Sequence, residues 1–306
     1  MNTSYSQPLS LGWARMKKAL FQPFDINKWF RVGFTAWLAG LTDCNGGGSG
    51  SHSNHNGNSW DEVFNFPQTA WDWLMNNPLW FNLIIVGLVF LIIVISIIMW
   101  VSSRGKFMFL HNVVHDSSEI SNPWHEYRKE GNSLFIWEFI YGWVAFAVFA
   151  LLLIYFFITA KSLYYSDLPG IAIFWSIALM ILMLIAYFII FGYISLFTKD
   201  FVIPIMYKYR IGVIRGWIKF LSLFARYFFS FIVYGLFIFI LGIAVVFAVG
   251  LFALFTCCIG LLIIAIPYIG AVVLLPVSYT FRAFSIEFLR QFGDDYNVFP
   301  VTEGES

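Results

Sequence analysis

Residues 122–142 read NPWHEYRKEGNSLFIWEFIYG, and residues 215–235 read RGWIKFLSLFARYFFSFIVYG. Each stretch begins polar and charged, ends apolar, and places a Trp eighteen residues before the Gly of a Tyr-Gly pair. A third copy starts with GWARMKKALF at 12–21, although its Gly33 comes two residues later than this spacing requires. The pattern predicts an internal repeat of three units, and the alternative is a chance likeness between aromatic-rich segments. The exits from the apolar second half of each unit are also similar: GKFMFL (105–110), KDFVIP (199–204) and YTFRAF (279–284).

The composition is typical of a membrane protein. The chain has 306 residues, of which 60% are hydrophobic and 11% are charged, and its mean hydropathy is +0.77. Soluble domains carry about 25% charged residues, so a chain this apolar could not cover its surface with polar groups in water. Because the sequence has no basic tract and no recognition motif, we expect no nucleic-acid partner.

Long apolar runs predict transmembrane helices, because a helix satisfies its own backbone hydrogen bonds in lipid. The segment Trp29–Leu41 is the doubtful one, since it covers only about 20 Å of a roughly 30 Å hydrocarbon core. The other predicted spans are Phe81–Ser103, Leu134–Ala160, Ile171–Thr198, and two within the uncharged stretch Tyr227–Phe281, with a turn near Gly250–Cys257.

Charge favours the short segment as a sixth span. If Trp29–Leu41 crosses, 17 of the 18 Lys and Arg residues fall on one side of the membrane and only Lys161 falls on the other. The positive-inside rule then places both termini in the cytoplasm. The sequence therefore predicts an all-α, multi-pass membrane protein with six transmembrane helices.

Each predicted repeat is an interfacial amphipathic helix followed by a helical hairpin. Because each unit crosses twice, the repeats are parallel. The chain is predicted to form a single membrane domain over residues 1–306. Its parts are repeat 1 at 8–103 with an extracytoplasmic Gly/Ser/Asn-rich loop at 43–80, repeat 2 at 104–198, repeat 3 at 199–281, and a C-terminal interfacial helix with a cytoplasmic tail at 282–306.

The start of each repeat combines apolar and basic residues near helical spacing, which is typical of a helix lying in the membrane interface beside anionic headgroups. The alternative is a helix that packs on the bundle rather than on lipid. The C-terminal segment FRAFSIEFLRQF at 281–292 has the same character. The predicted lipid-interface residues are Trp13, Arg15, Lys17, Lys18, Trp124, Arg128, Lys129, Trp217, Lys219 and Arg226.

The stretch PLSLGWARMKKALFQPFDINKWFRVGFTAWLAGL at 8–41, the loop GGGSG at 46–50 and the repeated Trp-to-Gly units carry a family resemblance. The chain resembles a group of uncharacterised bacterial multi-pass membrane proteins that are similar to the membrane domain of some glycerophosphodiester phosphodiesterases. The catalytic domain of those enzymes has no counterpart here. The resemblance implies a membrane module without an established activity, and no catalytic residues can be carried over. We expect a protein of the bacterial inner membrane that is not an enzyme and has no cofactor.

Three histidines form the best candidate for metal chemistry. His111 and His115 are four residues apart, so they lie on one face of a helix, as a divalent metal requires. His125 follows in the same loop, and nearby carboxylates could complete or orient a site. The alternative is a set of ordinary interfacial polar residues.

Glu138 is the one acidic residue inside a predicted span, at its cytoplasmic end. An ionisable group inside a membrane is a functional candidate by default. The sequence offers Arg128, Lys129 or Arg226 as its partner, and the alternative is a side chain that simply reaches the interface.

The cysteines support several interpretations. Cys44, Cys257 and Cys258 are most simply small apolar side chains, but Cys44 could bridge to one of the other two. With His52 and His55, these cysteines could also hold a soft metal, although the Gly, Ser and Asn content of the loop favours a solvated linker.

Three functions compete at this point. The favoured hypothesis is a scaffold or subunit of a membrane assembly, either a homo-oligomer or a larger complex, that binds anionic membrane lipid through its basic helices. The alternative is a transporter or channel for a small or lipid-like solute, lined by Ser96, Ser176 and Ser195. A metal-dependent enzyme built on the three histidines is the weakest hypothesis.

Overall fold

The structure is a computed structural model that describes residues 3–42, 60–165, 170–256 and 259–300. In these ranges the chain is helical, with no strand. The α-helices are α1 Ser6–Phe21, α2 Ile26–Gly40, α3 Trp60–Asn76, α4 Pro78–His115, α5 Ser121–Glu126, α6 Arg128–Tyr165, α7 Gly170–Phe197, α8 Ile203–Tyr209, α9 Val213–Arg226, α10 Phe228–Phe255, α11 Ile259–Ala265, α12 Pro267–Val273 and α13 Leu275–Arg290. A π-helical turn, Thr198–Val202, joins α7 to α8, and a 3₁₀ turn follows α13 at Asp294–Tyr296.

Four helical stretches are long and apolar enough to cross a membrane. They are Pro78–His115, Arg128–Tyr165, Gly170–Tyr209 and Phe228–Phe255, with mean hydropathies between 2.5 and 3.2. A fifth candidate is the pair α12 and α13, if these helices count as one span broken by a 63° bend. The helix α2 has 15 residues, about 22 Å at 1.5 Å per residue, which is shorter than a hydrocarbon core of about 30 Å. An all-helical protein with four candidate spans is therefore confirmed, and six spans stay a prediction.

Local sequence explains where several helices begin. Asp25 caps α2, because its carboxylate accepts a hydrogen bond from the Asn27 amide at 2.8 Å. Pro267 and Pro276 occupy the first positions of α12 and α13, where the missing amide hydrogen costs nothing. The same two prolines interrupt the uncharged stretch Tyr227–Phe281.

The described residues divide into two compact units. Unit 1 comprises Met1–Asp43, Met99–Glu138 and Tyr193–Ser306, and unit 2 comprises Cys44–Ile98 and Phe139–Gly192. Unit 1 contains 17 of the 18 Lys and Arg residues, and Lys161 in unit 2 is the remaining one.

Three helical segments form the centre of unit 1. They are residues 102–110, 200–207 and 282–289, and every residue in them is buried. We call them the exit segments, since they overlap the three similar stretches at the exits of the predicted repeats. A helix buried on all sides must be surrounded by other helices. Phe201 illustrates this packing, because its ring lies 4.8–5.4 Å from the rings of Phe220, Phe231 and Tyr234.

Helix α1 packs along α13, which contains the third exit segment. A side chain at Gly12 would place its Cβ 2.9 Å from the backbone nitrogen of Phe284, so only glycine permits this approach. The sequence had predicted that 281–292 lies in the membrane interface. The structure differs for residues 282–289, because all of them are buried and α1 packs along this helix.

Unit 2 consists of α3 and parts of three long helices. Tyrosine hydroxyls join α6 to α7: Tyr141 donates to the Phe191 carbonyl at 2.5 Å, and Tyr187 donates to the Ala145 carbonyl at 3.0 Å. Among the side chains that the structure describes in this unit, Phe64 is the only one that is buried.

Candidate functional site

Helix α9 presents three different faces. Val213, Gly216, Phe220 and Leu223 are buried against unit 1 at helical spacing. Ile214, Ile218 and Leu221 recur at i, i+4 and i+7, yet their exposed fractions are 68%, 63% and 49%. An apolar row this exposed on a helix that is otherwise well packed suits contact with acyl chains.

The third face of α9 is basic. Arg215, Lys219 and Arg226 follow one another along the helix and are exposed. The Lys219 ammonium lies 3.2 Å above the ring of Tyr209, a cation–π contact that fixes its position while leaving its hydrogen-bond donors accessible. Neighbouring apolar and basic faces are the arrangement of a helix at the boundary between acyl chains and headgroups.

Helix α1 is only partly consistent with its predicted role. Trp13, Lys17 and Lys18 are exposed, as an interfacial helix requires. Arg15 is engaged elsewhere: its guanidinium contacts the buried Glu287 carboxylate at 2.5 Å and lies 3.7 Å from the Phe299 ring centroid. Arg15 therefore binds α13 rather than being free for lipid.

The second predicted interfacial segment divides in the same way. Arg128 and Lys129 are exposed at the start of α6. Trp124 is half-buried, and the Arg104 guanidinium lies 5.0 Å from its ring and 4.3 Å from the ring of Trp100.

Trp217 on α9 is also half-buried, with its ring 5.6 Å from that of Trp137. Of the three repeated tryptophans, only Trp13 is more than half exposed. Trp124 and Trp217 therefore anchor their helices to the protein.

Glu138 has a different partner from those the sequence suggested. Its carboxylate accepts hydrogen bonds from Lys106 at 2.7 Å and from Ser103 at 3.0 Å. The Lys106 ammonium also donates to Thr42 at 3.2 Å, and both charged side chains are nearly excluded from solvent. Arg128, Lys129 and Arg226 are not its partners, because Lys106 on the neighbouring helix α4 reaches it directly. The sequence signal for this pair was a lysine inside the apolar run GKFMFL.

The structure brings two of the three candidate histidines together. The rings of His111 and His115 are 4.5 Å apart. His111 Nδ1 lies 3.0 Å from the Tyr207 hydroxyl, whereas His125 Nδ1 is occupied by the Ser121 carbonyl at 2.9 Å. Across the residues that the structure describes, no group of three or more His, Cys, Asp or Glu side chains is placed to hold a metal ion. Cys44, Cys257, Cys258, His52 and His55 lie outside the described residues.

A cleft of about 510 Å³ opens beside these histidines at the end of α8, and we call it the α8 cleft. The sequence analysis missed it, because its walls come from three separate parts of the chain. Its lining residues are His115, Tyr127, Tyr207, Lys208, Arg210, Asp294, Asn297, Val298, Phe299 and Pro300.

The α8 cleft is held open by ion pairing and ring stacking. Arg210 pairs with Glu126, and its guanidinium lies 3.9 Å from the centroid of the Tyr127 ring. Tyr127 in turn stacks on Tyr207 with centroids 4.8 Å apart. Burial raises the pKa of Tyr127, so its hydroxyl stays protonated. Burial lowers the pKa of Arg210, but the hydrogen bond to Glu126 and the charges of Tyr127, Glu126 and Glu130 together outweigh burial, so the net pKa is raised.

These features define an all-helical protein with several candidate membrane-spanning helices and a compact basic unit. The chain matches the family of unknown function DUF7544 over residues 8–298 and therefore belongs to that family. No curated protein and no solved structure gives a significant match. The prediction of an uncharacterised family is thus confirmed, while the similarity to glycerophosphodiester phosphodiesterases stays a prediction.

Proposed function

We propose that this protein is a non-enzymatic membrane scaffold whose basic unit binds anionic lipid at the headgroup level. The observation that carries the proposal is helix α9, where an exposed apolar row, Ile214, Ile218 and Leu221, runs beside an exposed basic row, Arg215, Lys219 and Arg226. Exposing three large aliphatic side chains to water is unfavourable. At a membrane interface the acyl chains solvate the apolar row, and the headgroups solvate the basic row.

The packing of unit 1 supports a scaffold over a channel. Phe201, Phe220 and Phe231 fill the space between the central helices and are fully buried. The polar residues expected to line a path satisfy their own helices: Ser96 donates to the Ile92 carbonyl at 2.7 Å and Ser176 to the Ala172 carbonyl at 2.9 Å. A transporter stays an alternative, and no contact among the described residues favours it specifically.

The three-repeat organisation is part of the proposal. In the third repeat, Gly216 of α9 approaches Val202 and Met206 at the second exit segment. In the first repeat, Gly12 of α1 approaches Phe284 at the third exit segment. Each of these interfacial helices therefore packs on the exit segment that follows the preceding predicted hairpin, and α1 closes the cycle by packing on the segment that follows the last hairpin. This cyclic packing supports parallel repeats.

The orientation that we propose has both termini in the cytoplasm and six spans, with α2 crossing as the first. Maleimide labelling of intact and opened cells tests it, with the native cysteines first replaced by serine. Cysteines introduced at Lys18 and Gly47 should react from opposite sides of the membrane. Reaction of both positions from one side would eliminate the six-span topology.

Lipid binding is tested by native mass spectrometry of the protein in mixed micelles of phosphatidylglycerol and phosphatidylcholine. Replacing Arg215, Lys219 and Arg226 by Gln should weaken retention of phosphatidylglycerol, by about 1 kcal/mol for each charge removed. Replacing Lys17 and Lys18 as well should extend the loss.

The matched control is Lys161→Gln, which removes the one Lys or Arg residue outside unit 1. It should leave the ratio of the two lipids unchanged. Equal retention of phosphatidylglycerol by the wild type and by the triple variant would refute the proposed lipid binding.

A further inference from the structure

The α8 cleft carries more hydrogen-bond donors than acceptors. Arg210 and Lys208 contribute positive charge, and Tyr127 and Asn297 contribute neutral donors, whereas the Tyr207 hydroxyl contacts His111 Nδ1 at 3.0 Å. Asp294 is the one acidic residue in the lining, and its backbone carbonyl accepts from the Lys208 ammonium at 2.6 Å. A volume of about 510 Å³ lies within the range of small-molecule sites, about 300–1,000 Å³.

Arg210 occupies an unusual backbone position. It ends helix α8 with φ 53° and ψ 45°, in the left-handed region where Gly or Asn is favoured. Arginine has no conformational advantage at such a position, and non-glycine residues held there are concentrated at ligand sites. We therefore attribute the arginine at this position to the contacts of its side chain rather than to its backbone conformation.

The Arg210 guanidinium is also held in advance of any ligand. Glu126 fixes it from one side and the Tyr127 ring from another. A guanidinium has five N–H donors, and Arg210 donates from Nη2 to the Glu126 carboxylate. A planar fork with free donors matches two oxygens of a phosphate group.

We propose that the α8 cleft binds the phosphate group of a phosphate ester, with Arg210 and Lys208 on the phosphate oxygens and the Tyr127 and Tyr207 hydroxyls near them. The cleft adjoins the interfacial helix, because Tyr209, between Lys208 and Arg210, lies under the Lys219 ammonium of α9. A lipid headgroup is therefore the nearest source of such a group, and this choice of source rests on the proposed lipid binding. A soluble phosphate ester offers the same chemistry.

The test compares two anionic amphiphiles on the full-length protein in neutral detergent. Phosphatidic acid carries a phosphate, and oleic acid carries a carboxylate without phosphate. Native mass spectrometry should show tighter retention of phosphatidic acid by the wild type. Arg210→Gln should weaken phosphatidic acid binding about tenfold, since a charged, bidentate contact is lost, and should leave oleic acid binding unchanged.

Arg215→Gln is the matched variant, because it removes an exposed arginine of α9 that does not line the cleft. It should weaken both amphiphiles by the same factor and preserve the preference for phosphate. Arg210→Lys keeps the charge but loses the fork, so it should also lose the preference. The thermal unfolding midpoint of each variant, read from tryptophan fluorescence, identifies any that fail to fold.

Glycerol 3-phosphate and inorganic phosphate distinguish the sources. If these soluble compounds displace phosphatidic acid only at concentrations far above that of the lipid, the natural ligand is a lipid headgroup. If they displace it at equal concentration, the natural ligand is a soluble ester. Equal binding of phosphatidic and oleic acids by the wild type overturns the phosphate site. An unchanged preference in Arg210→Gln overturns it as well. Neither result contradicts lipid binding by α9, because the test of that proposal, loss of lipid retention in the α9 triple variant, does not depend on the cleft.

Discussion

Units 1 and 2 both contain many large apolar side chains, yet they bury them differently. In unit 1 the exit segments are covered on every side, so Phe107, Phe201 and Phe288 have no more than trace exposure. In unit 2, Phe64 is the one buried side chain among those described, and Phe188 is 59% exposed. The candidate spans show the same contrast, since the most apolar windows of α4, α6 and α7 have no buried residue.

The difference indicates that the two units are suited to different surroundings. Unit 1 makes its own interior from aromatic rings, and it pairs its buried charges, as Lys106 does with Glu138 at 2.7 Å. The described residues of unit 2 form no comparable interior, so their exposed aliphatic side chains are suited to an apolar environment. A bilayer is such an environment, because acyl chains are as apolar as leucine.

The largest expected effect separates two phenylalanines. Phe201→Ala should lower the free energy of unfolding in detergent by about 3–5 kcal/mol, because it opens a cavity in a packed core. Phe188→Ala, on an exposed position of unit 2, should cost less than about 1 kcal/mol. Denaturant titrations followed by tryptophan fluorescence measure both changes. Similar losses would show that burial of these two side chains does not determine their contribution to the free energy of unfolding.

The buried ion pair should give the next largest effect. Lys106→Met leaves the Glu138 carboxylate buried without its cation and should cost about 3 kcal/mol of unfolding free energy. The double variant Lys106→Met, Glu138→Leu should recover most of that loss, since neither charge then remains unpaired. The same titrations test this, and a double variant as unstable as Lys106→Met would contradict the interpretation.

Two glycines, one in each unit, test how closely the helices pack. Gly12→Ala should destabilise the protein by about 1–3 kcal/mol, because a Cβ there meets the α13 backbone and overpacks the contact. Gly192→Ala has no atom within 4 Å of the new Cβ and should stabilise α7 by about 0.5–1 kcal/mol through helix propensity. Opposite shifts of the unfolding midpoint are expected, and a stabilising Gly12→Ala would mean that α1 does not pack closely on α13.

The smallest effect concerns alkaline pH. Burial raises the pKa of Tyr127 in the folded protein, so its contribution to stability is complete below the unfolded pKa of about 10 and is lost as the pH rises through the folded value. Tyr127→Phe should therefore reduce the loss of stability above about pH 10. Melting curves across this range measure the change, and an identical alkaline slope in the variant would exclude Tyr127 as a contributor.

Sequence reasoning located the helices better than the site. Runs such as Leu134–Ala160 lie within observed helices, here Arg128–Tyr165, since length and hydropathy suffice to recognise them. Contacts between distant segments were missed. Lys106 with Glu138, and Arg210 with Glu126 and Tyr127, depend on which helices become neighbours. The segment 281–292 was assigned to the interface because amphipathic and fully surrounded helices look alike in sequence.

By itself the sequence determined that the chain is helical, apolar enough for a membrane, and strongly asymmetric in its basic residues. These are properties of composition and of one-dimensional spacing, which act on each segment separately. Only the tertiary structure decided which charges are buried in pairs, which basic rows remain exposed, and where the α8 cleft forms. These properties depend on packing between residues that are far apart in the chain, such as Tyr127 and Tyr207 or Gly12 and Phe284. No local pattern specifies such neighbours, because their positions are fixed only when all the helices are packed together.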